Sequence, residues 1–387
     1  MKKKLLLIAL ALVAAAVIWH IIVPPHTDSV WIGNNITANF AEIDEPVAKM
    51  PNLSEIYIDA SGSMKPYFHN GTEMINSISE IKNLNINGTK VFLIGNPLPY
   101  NGLIINIIAS INAAPGQSTT TFDGFFKAQA AKIDTVNTLV YLVTDGIMSL
   151  GTTGDIAKAL TEFRGRITDA LSGHPNLAAA VFRYIGDFNG FYYDKHDRPI
   201  HFNGDRPYFI IALGQKEAIK WLQEQPAEKL NGPETLFLGL HDFKGHTKSH
   251  LALGDSIAYP LQNMGEPVNL TLDLPDCLAY LDATQAILEN KGNKLSVPVT
   301  KAGNTFKATI GKNIVLLPEP SDGSIKITLS VRNEIPSTWT HQWNCDADAE
   351  SPANPTTFGL KALISGMAEA MEPDSLLLKA DFIYKPK

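Results

Sequence analysis

Oxygen-bearing side chains gather at three points of this chain in a pattern suited to a hard metal ion. Asp59, Ser61 and Ser63 alternate within IYIDASGSM, Thr119, Thr120 and Thr121 close the polar stretch APGQSTTT, and Asp145 ends the apolar run of NTLVYLVTDG. A cation such as Mg²⁺ takes oxygen ligands in near-octahedral geometry and keeps several waters, so hydroxyls and a few carboxylates suffice. Gly62 separates the two serines and lets the backbone bend tightly enough for both hydroxyls to point at one centre. Two carboxylates, Asp59 and Asp145, balance a doubly charged ion, which retains affinity for one more acidic oxygen. Asp and Ser also cap helices and build turns in any protein. The Asp-x-Ser-x-Ser string therefore carries weight only together with the other two clusters.

Those clusters need elements that bring them together. Strand-like apolar runs fall at residues 53–59, 90–95 (KVFLIG), 103–108 (LIINII), 137–146, 177–184 and 206–213 (RPYFIIAL). Helical spacing falls between them, at residues 72–83 through Met74, Ile75, Ile78 and Ile81, then at 122–132, 154–170 and 216–224. Alternation of this kind predicts a doubly wound, mostly parallel α/β sheet over residues 51–225, covered by helices on both faces. In such sheets ligands bind beyond the carboxyl ends of the strands, where Asp59 and Asp145 would lie.

At these residues the chain resembles the von Willebrand factor type A domains with their metal-ion-dependent adhesion site. The resemblance rests on Asp59-x-Ser61-x-Ser63, a threonine about 60 residues on, and Asp145 within Thr144-Asp145-Gly146. It implies a Rossmann-like fold with Mg²⁺ as cofactor, Mn²⁺ or Ca²⁺ being the alternatives. It further implies Ser61, Ser63 and Thr119 as direct ligands, and Asp59 and Asp145 as ligands largely through water. Thr119 is preferred among the three threonines because Thr119-x-Thr121-x-x-Gly124 fits the family's threonine loop. Two features depart from the pattern: an added acid, Asp123, read as a helix N-terminal charge, and an aromatic-rich insert at residues 186–205 between the last two strands.

Beyond residue 226 the pattern changes to short strands separated by Asn, Gly, Asp and Pro turns, with period-2 alternation in IKITLSV at 325–331. Residues 226–387 therefore read as a β-rich, sandwich-like domain with one helix at 358–371 and a last strand, LLLKADFIY. At the other end, three lysines precede the apolar residues 5–23, which as a helix reach roughly 28 Å, close to a bilayer's hydrocarbon thickness. A cleavable signal has a shorter apolar core and a small-x-small site, absent here. The expected organisation is an N-terminal transmembrane signal anchor at 1–23, a linker at 24–50 and an extracytoplasmic remainder in the cell envelope.

The net charge of −7 leaves no electrostatic footprint for nucleic acid. The two cysteines, Cys277 and Cys345, are compatible with one disulfide or with two buried thiols. Rival chemistries fall short. A phosphotransferase of the haloacid dehalogenase type needs a second acid where Ser61 stands. Gly254-Asp255-Ser256 lacks the paired Asp and His of a GDSL hydrolase, and His241, His246 and His250 are too loosely spaced around Gly245 for a zinc protease. No nucleophile with base and orienting group emerges. The expected function is a membrane-anchored module, not an enzyme, that captures an Asp or Glu carboxylate of a protein partner through Mg²⁺. The alternative is an assembly subunit of an envelope complex whose metal only stabilises the loops.

Overall fold

The computed structural model describes residues 31–32, 35–39, 46–68, 72–84, 88–94, 99–100, 102, 104–107, 110–111, 122–148, 155–194, 198–230, 233–240, 251–252, 257–258, 268–274, 281–310, 325–333, 342–346, 356–372 and 377–385. The chain divides into two compact units, one of Ile43–Asp242 with Ile335–Pro373, the other of Met1–Glu42 with Phe243–Glu334 and Asp374–Lys387.

The first unit contains β1 (Leu53–Ile58), α1 (Thr72–Lys82), β2 (Lys90–Leu93), α2 (Phe122–Ile133), β3 (Thr138–Thr144), α3 (Ile156–Leu171), β4 (Leu177–Tyr193), β5 (Pro199–Gln215), α4 (Lys216–Gln223), β6 (Glu234–Leu238) and α5 (Leu360–Met371). Every residue of β3 is buried, because this central strand is covered on both faces. Its Leu139, Tyr141 and Val143 join one core with Met74, Ile75, Ile78 and Ile81 of α1. On the opposite face Tyr57 meets Phe125 of α2 edge-on, ring centroids 5.2 Å apart. Phe122 of α2 and Phe163 of α3 meet likewise, at 6.0 Å.

The strand order is β2-β1-β3-β5-β4-β6. Only the β2–β1 and β1–β3 pairings are parallel. β5 is antiparallel to both β3 and β4, and β6 is antiparallel to β4. The doubly wound, mostly parallel sheet expected from the helix–strand alternation, and implied by the resemblance, is thus corrected to a mixed sheet. The cause is the stretch taken for an insert. Pairing runs through it without interruption, from Leu177↔Gln215 to Tyr193↔Pro199, so that β4 and β5 form one long hairpin. A tight hairpin connection can join only antiparallel strands. The run LIINII also departs from expectation, forming a 3₁₀ turn at Ile104–Asn106 with Ile104 and Ile107 buried. Short apolar runs do not distinguish strand from buried helix by period alone.

In the second unit the expected sandwich is corrected to one curled, mainly antiparallel sheet of ten described strands. Its order is Trp31–Ile32, Asn35–Asn39, Val268–Asp273, Thr305–Ile310, Asn293–Ala302, Gln285–Asn290, Ile325–Arg332, Leu377–Lys385 and Ile257–Ala258, with Leu251–Ala252 also on Leu377–Lys385. The first part of Asn293–Ala302 pairs with Gln285–Asn290 and its last part with Thr305–Ile310, so one strand keeps the sheet continuous where two sheets were expected. Burial alternates along Gln285–Asn290 and Thr305–Ile310, as expected of a sheet with one covered face. Asn35–Asn39, within the stretch expected as a linker, pairs with Val268–Asp273. The helix expected near 358–371 forms as α5 and belongs to the first unit. The transmembrane segment expected at residues 1–23 lies outside the described residues. Among the described residues no helix is long and apolar enough to cross a membrane.

Candidate functional site

β1 and β3 are parallel neighbours in register from Leu53↔Thr138 to Ile58↔Val143, so their carboxyl ends finish side by side. Asp59 extends the ladder by donating its N–H to Val143 O at 2.9 Å. The chain then turns through Ser61, Gly62 and Ser63 into the 3₁₀ turn Lys65–Phe68. This turn is braced by the β4–β5 hairpin. Tyr67 packs edge-on against Phe188, ring centroids 5.0 Å apart, and its hydroxyl donates to Pro207 O at 2.6 Å. A Cβ on Gly190 would lie 2.9 Å from Pro66 Cγ, so the hairpin backbone itself rests on the turn. Gly62 lies close to the Tyr193 ring, 3.4 Å from where its own Cβ would be.

Asp59 is held at both oxygens. Oδ1 accepts from Ser61 N–H at 2.9 Å, and Oδ2 accepts from the Thr144 hydroxyl at 3.0 Å. The same Thr144 oxygen accepts from Gly146 N–H at 3.1 Å, which shapes the turn carrying Asp145. The Ser61 and Ser63 hydroxyls are 3.1 Å apart. Asp145 accepts from Ile147 N–H at Oδ1, 3.2 Å away, while its Oδ2 is buried with no hydrogen-bond partner among the described residues. Asp59 and Asp145 are 2% and 3% exposed, so water does not screen the two acids from one another.

Burial, and then the Asp59 charge, push the Asp145 carboxyl up to about 6. The Ser63 hydroxyl, the Ile147 N–H and the Arg206 charge pull it the other way. Arg206 is itself 1% exposed, its guanidinium 4.1 Å from the Tyr192 ring centroid and donating to Thr356 O at 3.0 Å. Two buried carboxylates, with one buried guanidinium acting on Asp145, leave the site short of positive charge, and one Asp145 oxygen lacks a donor among the described residues. A hard divalent cation supplies what both shortfalls require, and the oxygen-only donors Asp59, Ser61, Ser63 and Asp145 fit it.

The structure thus brings together four of the five expected site residues; Thr119 lies outside the described residues. Asp123 sits in the first turn of α2, as expected of a helix N-terminal charge. His241, His246, His250, Ser256 and Cys277 also fall outside the described residues, and Cys345 lies half-buried in the short strand Asn344–Cys345. Sequence reasoning missed Thr144 as the hydroxyl that orients Asp59, and Arg206 as the internal cation. The latter had a signal: a lone arginine heading the apolar run RPYFIIAL.

No protein-family model, curated protein or solved structure matches this chain.

Proposed function

We propose that the chain is a membrane-anchored, extracytoplasmic binding protein that captures an Asp or Glu carboxylate of a protein partner through Mg²⁺ held at the ends of β1 and β3. The carrying observation is the buried Oδ2 of Asp145, without a hydrogen-bond partner among the described residues, beside Asp59, Ser61 and Ser63. In this reading the Ser61 and Ser63 hydroxyls hold the ion, Asp145 offers its open oxygen, and Asp59, fixed by Thr144 and Ser61, presents a preset charge. Bound Mg²⁺ supplies a positive centre with exchangeable positions for an acidic oxygen. The proposal concerns this adhesion-type site on a mixed sheet, with the apolar residues 5–23 as anchor and no catalytic activity.

The assembly alternative, in which metal only stabilises the loops, is favoured less. The Lys65–Phe68 turn is held by protein contacts of its own, to Phe188, Gly190 and Pro207. The test is crosslinking of the full chain in native membranes with EDTA, with Mg²⁺ restored, and in Asp59→Ala and Ser61→Ala variants. Capture of the same partner should fall in EDTA and in both variants, and return on adding Mg²⁺ to the unaltered chain. Capture unchanged in all of these, with only thermal stability reduced, sinks the adhesion reading.

A further inference from the structure

Arg183 lies on β4, paired with Glu234 on the edge strand β6. Its side chain is 4% exposed, and Nη1 donates to Glu234 Oε2 at 2.9 Å. The guanidinium lies over the indole ring of Trp343. Its other edge, formed by Nε and Nη2, is buried and has no acceptor among the described residues, and the same is true of Trp343 Nε1. Three nitrogen donors within one stacked pair are therefore shut away from water with no acceptor among the described residues. Buried donors are almost always satisfied, and leaving one unmet costs on the order of 1–3 kcal/mol. The Nε/Nη2 edge is moreover the side of an arginine that grips a planar oxyanion with two parallel bonds.

We propose that Arg183 and Trp343 form a second binding site, for a carboxylate group, with Arg183 supplying the two-pronged contact and the indole N–H a third donor. Charge selects the carboxylate over a phosphate dianion. Glu234 already faces the other side of the guanidinium, so a second negative charge on the ligand would meet repulsion without gaining a further cation. Burial disfavours the charged guanidinium and Glu234 favours it; a carboxylate on the Nε/Nη2 edge adds to the latter effect.

The test titrates the full chain, kept in EDTA so that the strand-end site does not contribute, with sodium acetate, inorganic phosphate and sodium chloride at matched ionic strength. A further pair of arms compares a short peptide bearing a free C-terminal carboxylate with its amidated twin, which separates a peptide source of the group from a small acid. The readout is the shift in melting temperature. Acetate, or the free-acid peptide, should raise it saturably, while chloride and the amidated peptide should not. Arg183→Lys keeps the charge but loses the fork, and should weaken the response at least tenfold. Trp343→Phe keeps a ring under the guanidinium and should weaken it several-fold, which preserves the test if the arginine variant does not fold. Asp145→Asn should leave the response intact, separating this site from the metal reading. No saturable response to either carboxylate, a response to phosphate alone, or one unchanged in both the Arg183 and Trp343 variants overturns the proposal.

Discussion

The Thr144 hydroxyl donates to Asp59 Oδ2 at 3.0 Å and so ties the carboxyl end of β3 to that of β1. The bond is wholly buried, and the same oxygen holds Gly146 N–H. One threonine therefore orients both acids of the site, Asp59 directly and Asp145 through its turn. Thr144→Val keeps the shape of the side chain and removes both bonds. It should destabilise the protein by about 1–3 kcal/mol, since two buried polar groups lose their partner. It should also weaken Mg²⁺ binding more than Thr144→Ser does. Urea unfolding and calorimetric Mg²⁺ titration of the three proteins check this.

Asp145 predicts the direction of the pH dependence. In the unfolded chain its carboxyl titrates near its ordinary 3.8, and in the folded, metal-free protein at about 6, raised by burial and by Asp59. The folded state therefore holds the proton more tightly between those values. Its contribution to stability is full below the unfolded pKa and is lost as pH rises through the folded one. In EDTA, stability should decline from about pH 4 to above pH 6, and Asp145→Asn should flatten that decline. Added Mg²⁺ should stabilise the unaltered protein at pH 7, and less at pH 5, where protons compete for the same oxygen. Thermal melts across this range, with and without Mg²⁺, measure both effects; a metal-free melting curve identical at pH 4 and pH 7 would contradict the first.

The hairpin offers a test of how the site loop is held. Gly190 has φ +155°, and a Cβ there would meet Pro66 Cγ at 2.9 Å. Gly190→Ala must push the hairpin off the Lys65–Phe68 turn, and a destabilisation of about 1–3 kcal/mol is expected from overpacking. Amide hydrogen exchange should quicken at residues 61–68 before it does in β3, whose ladder the substitution does not touch.

Between α3 and α5 a substitution that helps most helices should harm this one. A Cβ on Gly366 would lie 2.7 Å from Arg164 O and 2.8 Å from Ile167 Cβ. Gly366→Ala gains up to about 1 kcal/mol of helix propensity. The two helices must nevertheless separate to admit the methyl group, so a net loss of about 1–2 kcal/mol is expected in urea unfolding. The Arg164–Glu369 ion pair across the same contact is partly exposed and should add little, with Glu369→Gln costing under about 1 kcal/mol and less at high salt.

Most helices and strands of the first unit were legible from local pattern alone. The spacing of Met74, Ile75, Ile78 and Ile81 is read as α1, and the unbroken apolar run at 138–144 as β3, because each records which side of one element is buried. The neighbouring positions of Asp59 and Asp145 were legible for the same reason, both standing just past the end of a buried strand. Strand direction was not. Residues 186–205 look like a loop because their burial is mixed, with Phe191 52% exposed, and the hairpin they belong to pairs residues up to 38 positions apart, Leu177 with Gln215.

By itself, then, the sequence determined most of the helices and strands of the first unit and which oxygens stand at the strand ends, since both follow from periodicity within a few residues. Only the tertiary structure decided the mixed sheet, the continuous curled sheet of the second unit, the Thr144 bond to Asp59 and the burial of Arg206 beside Asp145. Each of these joins segments distant in sequence. No local pattern encodes which segments those will be, because burial states only that a side chain is covered, and the partner that covers it is chosen by the packing of the whole unit.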